Sequence, residues 1–343
     1  MTTYLLRRIN LLVFTLFILS FASFWLAFLF PGDVLTNLSG VYFQDSQQAQ
    51  LYANKYATEQ NSFLQFIRYL ELLWQGDWGV SFSSGESLFH EIGAVLPASV
   101  ELSTYALFLS LVVGIPLGFI SGLQHNKTTD NLMLSVSLIG YSIPVFWLAL
   151  ICIILFSLQL GWLPISGRIS LLYDIPHKSG FILFDILTAD IPDKGAALKD
   201  ALAHLLLPTI SISIVTSTII LRITRRSVIE VMASEYIKAA RAKGLNQRQI
   251  IFRHGIRNAI LPIMPQLALQ FTTLLTNAMI VETIFSWPGI GNWLIQAIYQ
   301  GDYPAIRAGM LAVASLVVIF TVTIDIVYRI IDPKRLHRRR VKI

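Results

Sequence analysis

Long apolar runs recur along this chain, and nothing else in the sequence restricts its fold as much. A helix needs about 20 apolar residues to cross the hydrocarbon core of a bilayer. Inside that core every backbone N–H and C=O must be bonded within the protein, so only helices or closed barrels cross it. Runs of suitable length fall at about 9–30, 97–122, 132–160, 202–221, 261–285 and 308–331. Of 343 residues, 55% are hydrophobic and 13% charged, about half the charge of a soluble domain. The expectation is an all-α integral membrane protein with six transmembrane helices. The first run follows Arg7 and Arg8 but is too long for a secretory h-region and ends without a small-x-small cleavage site, so it reads as a retained span.

Six spans put both termini on one side. With that layout 19 of the 26 basic residues share one face: Arg7, Arg8, Lys127, nine from Arg222 to Arg257 and seven from Arg329 to Lys342. The positive-inside rule makes that face cytoplasmic. Four regions follow: a first transmembrane helix at 1–30, an aqueous periplasmic segment at 31–96, a five-helix transmembrane domain at 97–332, and a basic cytoplasmic tail at 333–343. The tail reads as a topology anchor rather than a nucleic-acid site.

Between the fourth and fifth spans lies the longest strongly basic interval, 234–262, and it reads as helix–turn–helix. Ser234 stands where a cap is needed, alanines favour the first helix, and Gly244 stops it in a left-handed conformation. Asn246 and Gln249 have the spacing of a capping box for a second helix running towards Asn258. Two helices this short cannot bury a core of their own. They need a surface to lie on: a partner that drives the spans, or anionic lipid headgroups.

Within the spans, Gly114, Gly118 and Gly122 repeat every four residues, a strip that lets a neighbouring backbone approach. Gly140-Tyr141-Ser142-Ile143-Pro144 predicts a proline-induced break or kink in the third span. Glu101, Glu282 and Asp325 are acids at membrane depth, where a charge is expensive. They read as a polar cavity, as ion pairs inside the bundle or, for the two glutamates, as groups at the membrane interface. Cys152 is the only cysteine, so no internal disulfide and no Cys/His zinc cluster exists. A phosphate-binding G-x-x-x-x-G-K-[ST] loop, H-E-x-x-H and G-x-S-x-G are all missing. Asn37-Leu38-Ser39 is a glycosylation sequon by pattern alone.

The segment EYIKAARAKG…HGIRNAILP resembles the cytoplasmic EAA loop of permease subunits in binding-protein-dependent ABC transporters. GDWGVSF, LPASVELS, GIPLG, SIPVFWLALI, LPISGR, VETIFSWPGIGNWLIQAI and DYPAIRAG follow in the order of the dipeptide/oligopeptide/nickel branch. LIGYSIPVFWLAL and LGWLPISGR are most similar to its Sap peptide-transport members. The resemblance implies a type I ABC importer permease (MetI-like) fold in the bacterial inner membrane and no enzymatic activity in this chain. The implied partners are a second homologous permease, two cytoplasmic ATPases that hold ATP and Mg, and a periplasmic substrate-binding protein. Glu235, Ala239, Ala240, Gly244 and Leu245 are expected to shape the ATPase contact. Tyr141, Ser142 and Asn277 are substrate-path candidates, with Glu282 as an acid at the outer mouth. The implied cargo is peptide, with putrescine-like polyamines, nickel or haem as alternatives on the same architecture. A self-contained channel or membrane enzyme is the reading from another class.

Overall fold

The structure is a computed structural model and describes residues 2–331 apart from His177; the basic tail lies outside the described residues. In chain order the helices are α1 (Thr2–Leu29), α2 (Val34–Ser39), α3 (Ser46–Tyr56), α4 (Ser62–Trp74), α5 (Leu88–Leu123), α6 (Thr128–Ser142) and α7 (Val145–Cys152). Then come α8 (Ile182–Thr188), α9 (Lys194–Met232), α10 (Glu235–Ala242), α11 (Gln247–Ile250), α12 (Ile256–Ile260), α13 (Met264–Ile284), α14 (Ile290–Gln300) and α15 (Tyr303–Ile331). Among the described residues five helices, α1, α5, α9, α13 and α15, are long and apolar enough to cross a membrane. The pair α6 and α7, the latter prolonged as a π-helix to Gln159, makes a sixth if counted as one broken span, bent by 93°. The expected all-α, multi-spanning fold is what forms.

Two helices exceed the apolar runs that announced them. α5 has 36 residues and α9 has 39, about 54 and 58 Å at 1.5 Å per residue, well beyond the hydrocarbon core. Polar residues prolong both helices past their apolar runs, as the exposed i,i+4 pair Arg226–Glu230 does on α9, so composition located the crossings but not the ends. The periplasmic segment expected at 31–96 includes two consecutive helices, α3 and α4, with a break between them. Ala57 makes that break in the left-handed conformation, with φ +54. On these two helices Tyr56 and Phe66 are buried whereas Leu51 and Phe63 are exposed.

The chain divides into two compact units, neither contiguous in sequence. One comprises Met1–Ser99, Ile175–Ala189 and Ser286–Val322. Here α2, α3 and α4 gather on the end of α1, where Phe24, Ala27, Leu38, Tyr56, Phe66, Tyr69 and Leu72 form a buried cluster. Asn37 is buried and its amide donates to Ala27 O at 3.1 Å, a terminal carbonyl of α1, so the sequon is a structural cap. Arg307 on α15 is also buried. Its guanidinium donates to Tyr69 Oη (2.8 Å), Leu38 O (3.2 Å) and Trp78 O (3.1 Å), tying three segments to one cation. Asp302 accepts from Ser81 Oγ at 2.6 Å and from the backbone N–H of Ser83 at 3.0 Å.

The other unit comprises Val100–Asp174, Asp190–Phe285 and the described residues from Thr323 onward. Its axis is α9, against which α6, α7, α12 and α13 all pack. Small and hydroxyl side chains, among them Ser211, Ser213, Thr216, Thr218 and Ser227, are buried on α9 and allow close approach. The glycine strip of α5 meets it. A Cβ on Gly114 would lie 2.8 Å from Ser217 O, one on Gly118 2.6 Å from Leu221 O, and one on Gly122 2.9 Å from Arg225 O. The strip is therefore a backbone-to-backbone seam, extended by Ser110, whose hydroxyl donates to Ser213 O at 3.1 Å.

Candidate functional site

The basic interval forms the helical hairpin expected of it, built directly onto α9. Only Ala233 and Ser234 separate α9 from α10. Gly244, just past α10, has φ +82, which glycine adopts without the clash a Cβ meets. Asn246 Oδ1 accepts from the Gln249 N–H at 2.8 Å and Gln249 Oε1 accepts from the Asn246 N–H at 3.0 Å, a complete capping box. Helical backbone then continues through α11, a π-helical turn and α12 to Ile260. Ser234 departs from expectation. It occupies the cap position of α10, but its hydroxyl donates back to Val231 O at 2.5 Å. With one residue between it and the end of α9, it serves the carbonyls behind it rather than the N–H groups ahead.

The hairpin's core is small, as its length dictates: Ile237, Ala240 and Ile250 are buried, with Met232 of α9 and Leu245 packed against them. A second tie comes from Ser227 Oγ, which donates to Ala259 O at 2.8 Å. The hairpin is thus held to α9 at both its ends. The five residues expected to contact an ATPase fall into two groups. Glu235, Ala239 and Gly244 are exposed, whereas Ala240 is buried in the hairpin core and Leu245 partly covered. Glu235 pairs with Lys238 at 2.8 Å, a solvent-exposed bridge of the kind that adds little stability.

Behind the hairpin, Asp130 gathers the ends of three helices. It stands in the first turn of α6, almost wholly buried, where a negative charge also favours the helix dipole. Ser121 of α5 donates to it at 2.6 Å, the Asn126 N–H at 3.0 Å, and Arg225 of α9 through two hydrogen bonds. Spacing singles out neither residue: Arg225 is one of nine basic residues from Arg222 to Arg257, and Asp130 lies 95 positions from it in a stretch without a motif.

The third span is broken at the motif that predicted it. α6 ends at Ser142, Ile143 is extended, and Pro144 opens α7. A shallow groove of about 600 Å³ follows the bend, lined by Leu138, Ile139, Ser142, Ile143, Pro144, Phe146 and Trp147. Of the substrate-path candidates only Ser142 enters it, and its hydroxyl is already donated to Leu138 O at 2.8 Å. Tyr141 instead faces Arg222, whose guanidinium lies 4.6 Å from the ring centre, a cation–π contact. Asn277 is half-buried on α13, and Glu282 is fully buried there rather than exposed at an interface. Glu101 is likewise interior: Arg168 donates to it through Nε and Nη2, so among its alternatives the ion pair inside the bundle is the one realised. No cluster of metal-ligating side chains occurs among the described residues.

The comparisons with known proteins agree with this architecture. The family model described as binding-protein-dependent transport system inner membrane component matches residues 114–337. Over 339 residues, 99% of this chain and 100% of the relative, the chain is 40% identical to the di/tripeptide transport system permease protein DppB of Pseudomonas aeruginosa (strain UCBPP-PA14). It is 41% identical over 333 residues, 97% of each chain, to the putrescine export system permease protein SapB of Escherichia coli (strain K12). An inward-facing structure of the MetNI methionine ABC transporter superposes with a TM-score of 0.51 at 15% identity, covering 80% of this chain and 100% of that one, which establishes a shared fold. With a matched model over most of its length and relatives aligned end to end, this chain belongs to the inner-membrane permease components of binding-protein-dependent ABC transport systems, in the branch that holds the Dpp and Sap permeases.

Proposed function

We propose that this chain is one of two permease subunits of a bacterial inner-membrane transporter for peptides, driven by two cytoplasmic ATPases and supplied by a periplasmic binding protein. Both termini and the hairpin 234–260 face the cytoplasm in this reading, as the distribution of basic residues requires. One observation carries it: a capped two-helix hairpin, too small to stand alone, continues α9 and is tied back to it through Ser227. A force applied to the hairpin reaches α9 without a flexible joint. Through α9 it reaches α5, α6, α7 and α13, which pack along it. Exposed Glu235, Ala239 and Gly244 form the contact edge, with Ala240 and Leu245 keeping the two helices together. Alternating access follows when ATP-driven closure of the motors moves that edge. Tyr141, Ser142 and Asn277 are assigned to the cargo path, with Glu282 an acid beside it.

The test is recovery of the tagged chain from its native membranes. The expected result is co-purification with a second permease and two ATPases. An isolated homo-oligomer with activity of its own would overturn the reading in favour of a channel or enzyme. Putrescine is the competing cargo, because one relative bears that function in its name. Vesicles holding the whole complex, offered labelled dipeptides, longer peptides and putrescine on either side, decide both cargo and direction. Movement of putrescine alone would overturn the peptide assignment.

A further inference from the structure

Helix α4 lies in the segment that reads as aqueous, yet it packs on a transmembrane helix well below that helix's end. Its Phe66 ring sits edge-on to Phe17 (centroids 5.4 Å) and Phe21 (5.3 Å) and tilted against Phe24 (5.5 Å), all on α1. Phe66 is therefore level with Phe21. If Arg8 marks one boundary, a ~30 Å hydrocarbon core takes about 20 helical residues and ends near position 28. Phe21 is then about 10 Å inside it, and less if α1 is tilted. That is the depth reached by helices lying in the plane of a membrane interface, about 5–10 Å.

Most of the outward side of α4 is apolar, with the part-exposed Arg68 and Glu71 beside it. Phe63 is 69% exposed, Leu64 45%, Ile67 45% and Trp74 93%. Large apolar patches left open to water are unusual. This patch continues the exposed apolar surface of α1 at Phe14, Phe17, Phe21 and Trp25, to which it is joined through the Phe66 contacts. The two charges on α4, Arg68 and Glu71, pair with each other, and Arg68 Nε also donates to Lys55 O at 2.9 Å. The open N-terminal N–H of Leu64 is satisfied by Asn61 Oδ1 at 2.9 Å.

We propose that α4 is an in-plane membrane helix, its exposed face of Phe63, Leu64, Ile67 and Trp74 seated in the leaflet at the C-terminal end of α1, so that lipid covers this face. The inference needs only that α1 crosses the bilayer and is independent of cargo. The small domain of α2, α3 and α4 is then anchored twice, through its core and through lipid.

The experiment uses the full chain in its assembled complex in phospholipid nanodiscs, with Cys152→Ala removing the native thiol. Single nitroxide labels are placed at Phe63→Cys, Ile67→Cys and, on exposed α3, Gln50→Cys. Collision with oxygen, which concentrates in lipid, is compared with collision with a water-soluble nickel chelate. The expected result is an oxygen-to-chelate ratio several-fold higher at 63 and 67 than at 50. A ratio at 63 and 67 equal to that at 50 puts the face in water and overturns the proposal. Labels that meet neither reagent put another protein over the face and overturn it as well. If Ile67→Cys does not assemble, Leu64→Cys reads the same face.

Discussion

Arg225 holds Asp130 by two parallel hydrogen bonds, Nε to Oδ1 and Nη2 to Oδ2, each 2.7 Å long. The pair joins α9 to α6, and Ser121 adds α5 to the same carboxylate at 2.6 Å. Removing one member of a buried pair strands the other and costs about 3–5 kcal/mol. Arg225 keeps some access to water, its side chain being 18% exposed, which places Asp130→Asn near the low end, at about 3 kcal/mol. The expected outcome is a lowered melting temperature of the purified complex, partly regained in Asp130→Asn with Arg225→Gln. Additive effects of the two substitutions in a double-mutant cycle would show that the pair carries no coupling.

The α5–α9 seam predicts a contrast between two glycines of one helix. A Cβ on Gly118 would come within 2.6 Å of both Leu221 O and Thr224 Cβ, where backbone cannot yield. Overpacking of this kind costs about 1–3 kcal/mol and sometimes more. Gly118→Val should therefore reduce the amount of folded protein in detergent, measured as the monodisperse fraction. Gly93 is helical and meets nothing within 4 Å, so Gly93→Ala should be neutral or stabilising by up to about 1 kcal/mol.

Gly244 separates a backbone requirement from a packing one. Its φ is +82 and a Cβ there would touch nothing within 4 Å, so a side chain is penalised only through the backbone, by about 1–2 kcal/mol. Gly244→Val should leave the chain in the membrane at normal levels and abolish substrate-stimulated ATPase activity and uptake. Gly244→Asn should retain much of both, because asparagine tolerates the left-handed region. Normal coupling in the valine variant would remove the hairpin from the drive train.

The loop before α9 carries an acid-sensitive contact. Burial by itself would raise the Asp185 carboxyl, but Ser179 Oγ (2.7 Å), the Ser179 N–H (2.8 Å) and the Gly180 N–H (3.1 Å) outweigh it and hold the group below its ordinary 3.8. A depressed carboxylate contributes stability that is fully present above 3.8 and is lost as pH falls through the lowered value. Protection of the backbone amides around Asp185, relative to their intrinsic exchange rates, should thus hold down to about pH 4 and fall below it. Asp185→Asn should exchange faster at neutral pH, with the acid-dependent step gone.

Legibility followed the range of the interaction. The capping box at Asn246 and Gln249, the stop at Gly244 and the break at Pro144 involve atoms a few residues apart, so spacing alone announced them. The glycine strip announced a close approach but not to which helix. Ser234 misled because its hydroxyl can accept from the N–H groups ahead or donate to the carbonyls behind, and only the geometry of the α9–α10 junction chooses between them. Glu101 and Arg168 are 67 residues apart, and no local pattern links them.

The sequence by itself determined that this chain enters a membrane as helices, about how many times, and where a basic hairpin interrupts the spans. Apolar length and backbone hydrogen bonding leave no other solution. Tertiary structure alone decided what the polar residues at the ends and in the interior do, and what α4 packs on: Arg225 on Asp130, Arg168 on Glu101, Arg307 on three segments of its unit, and Phe66 of α4 against the rings of α1. Each of these joins residues distant in sequence, and a charge or ring is committed to its partner only once packing has removed the water that would otherwise satisfy it.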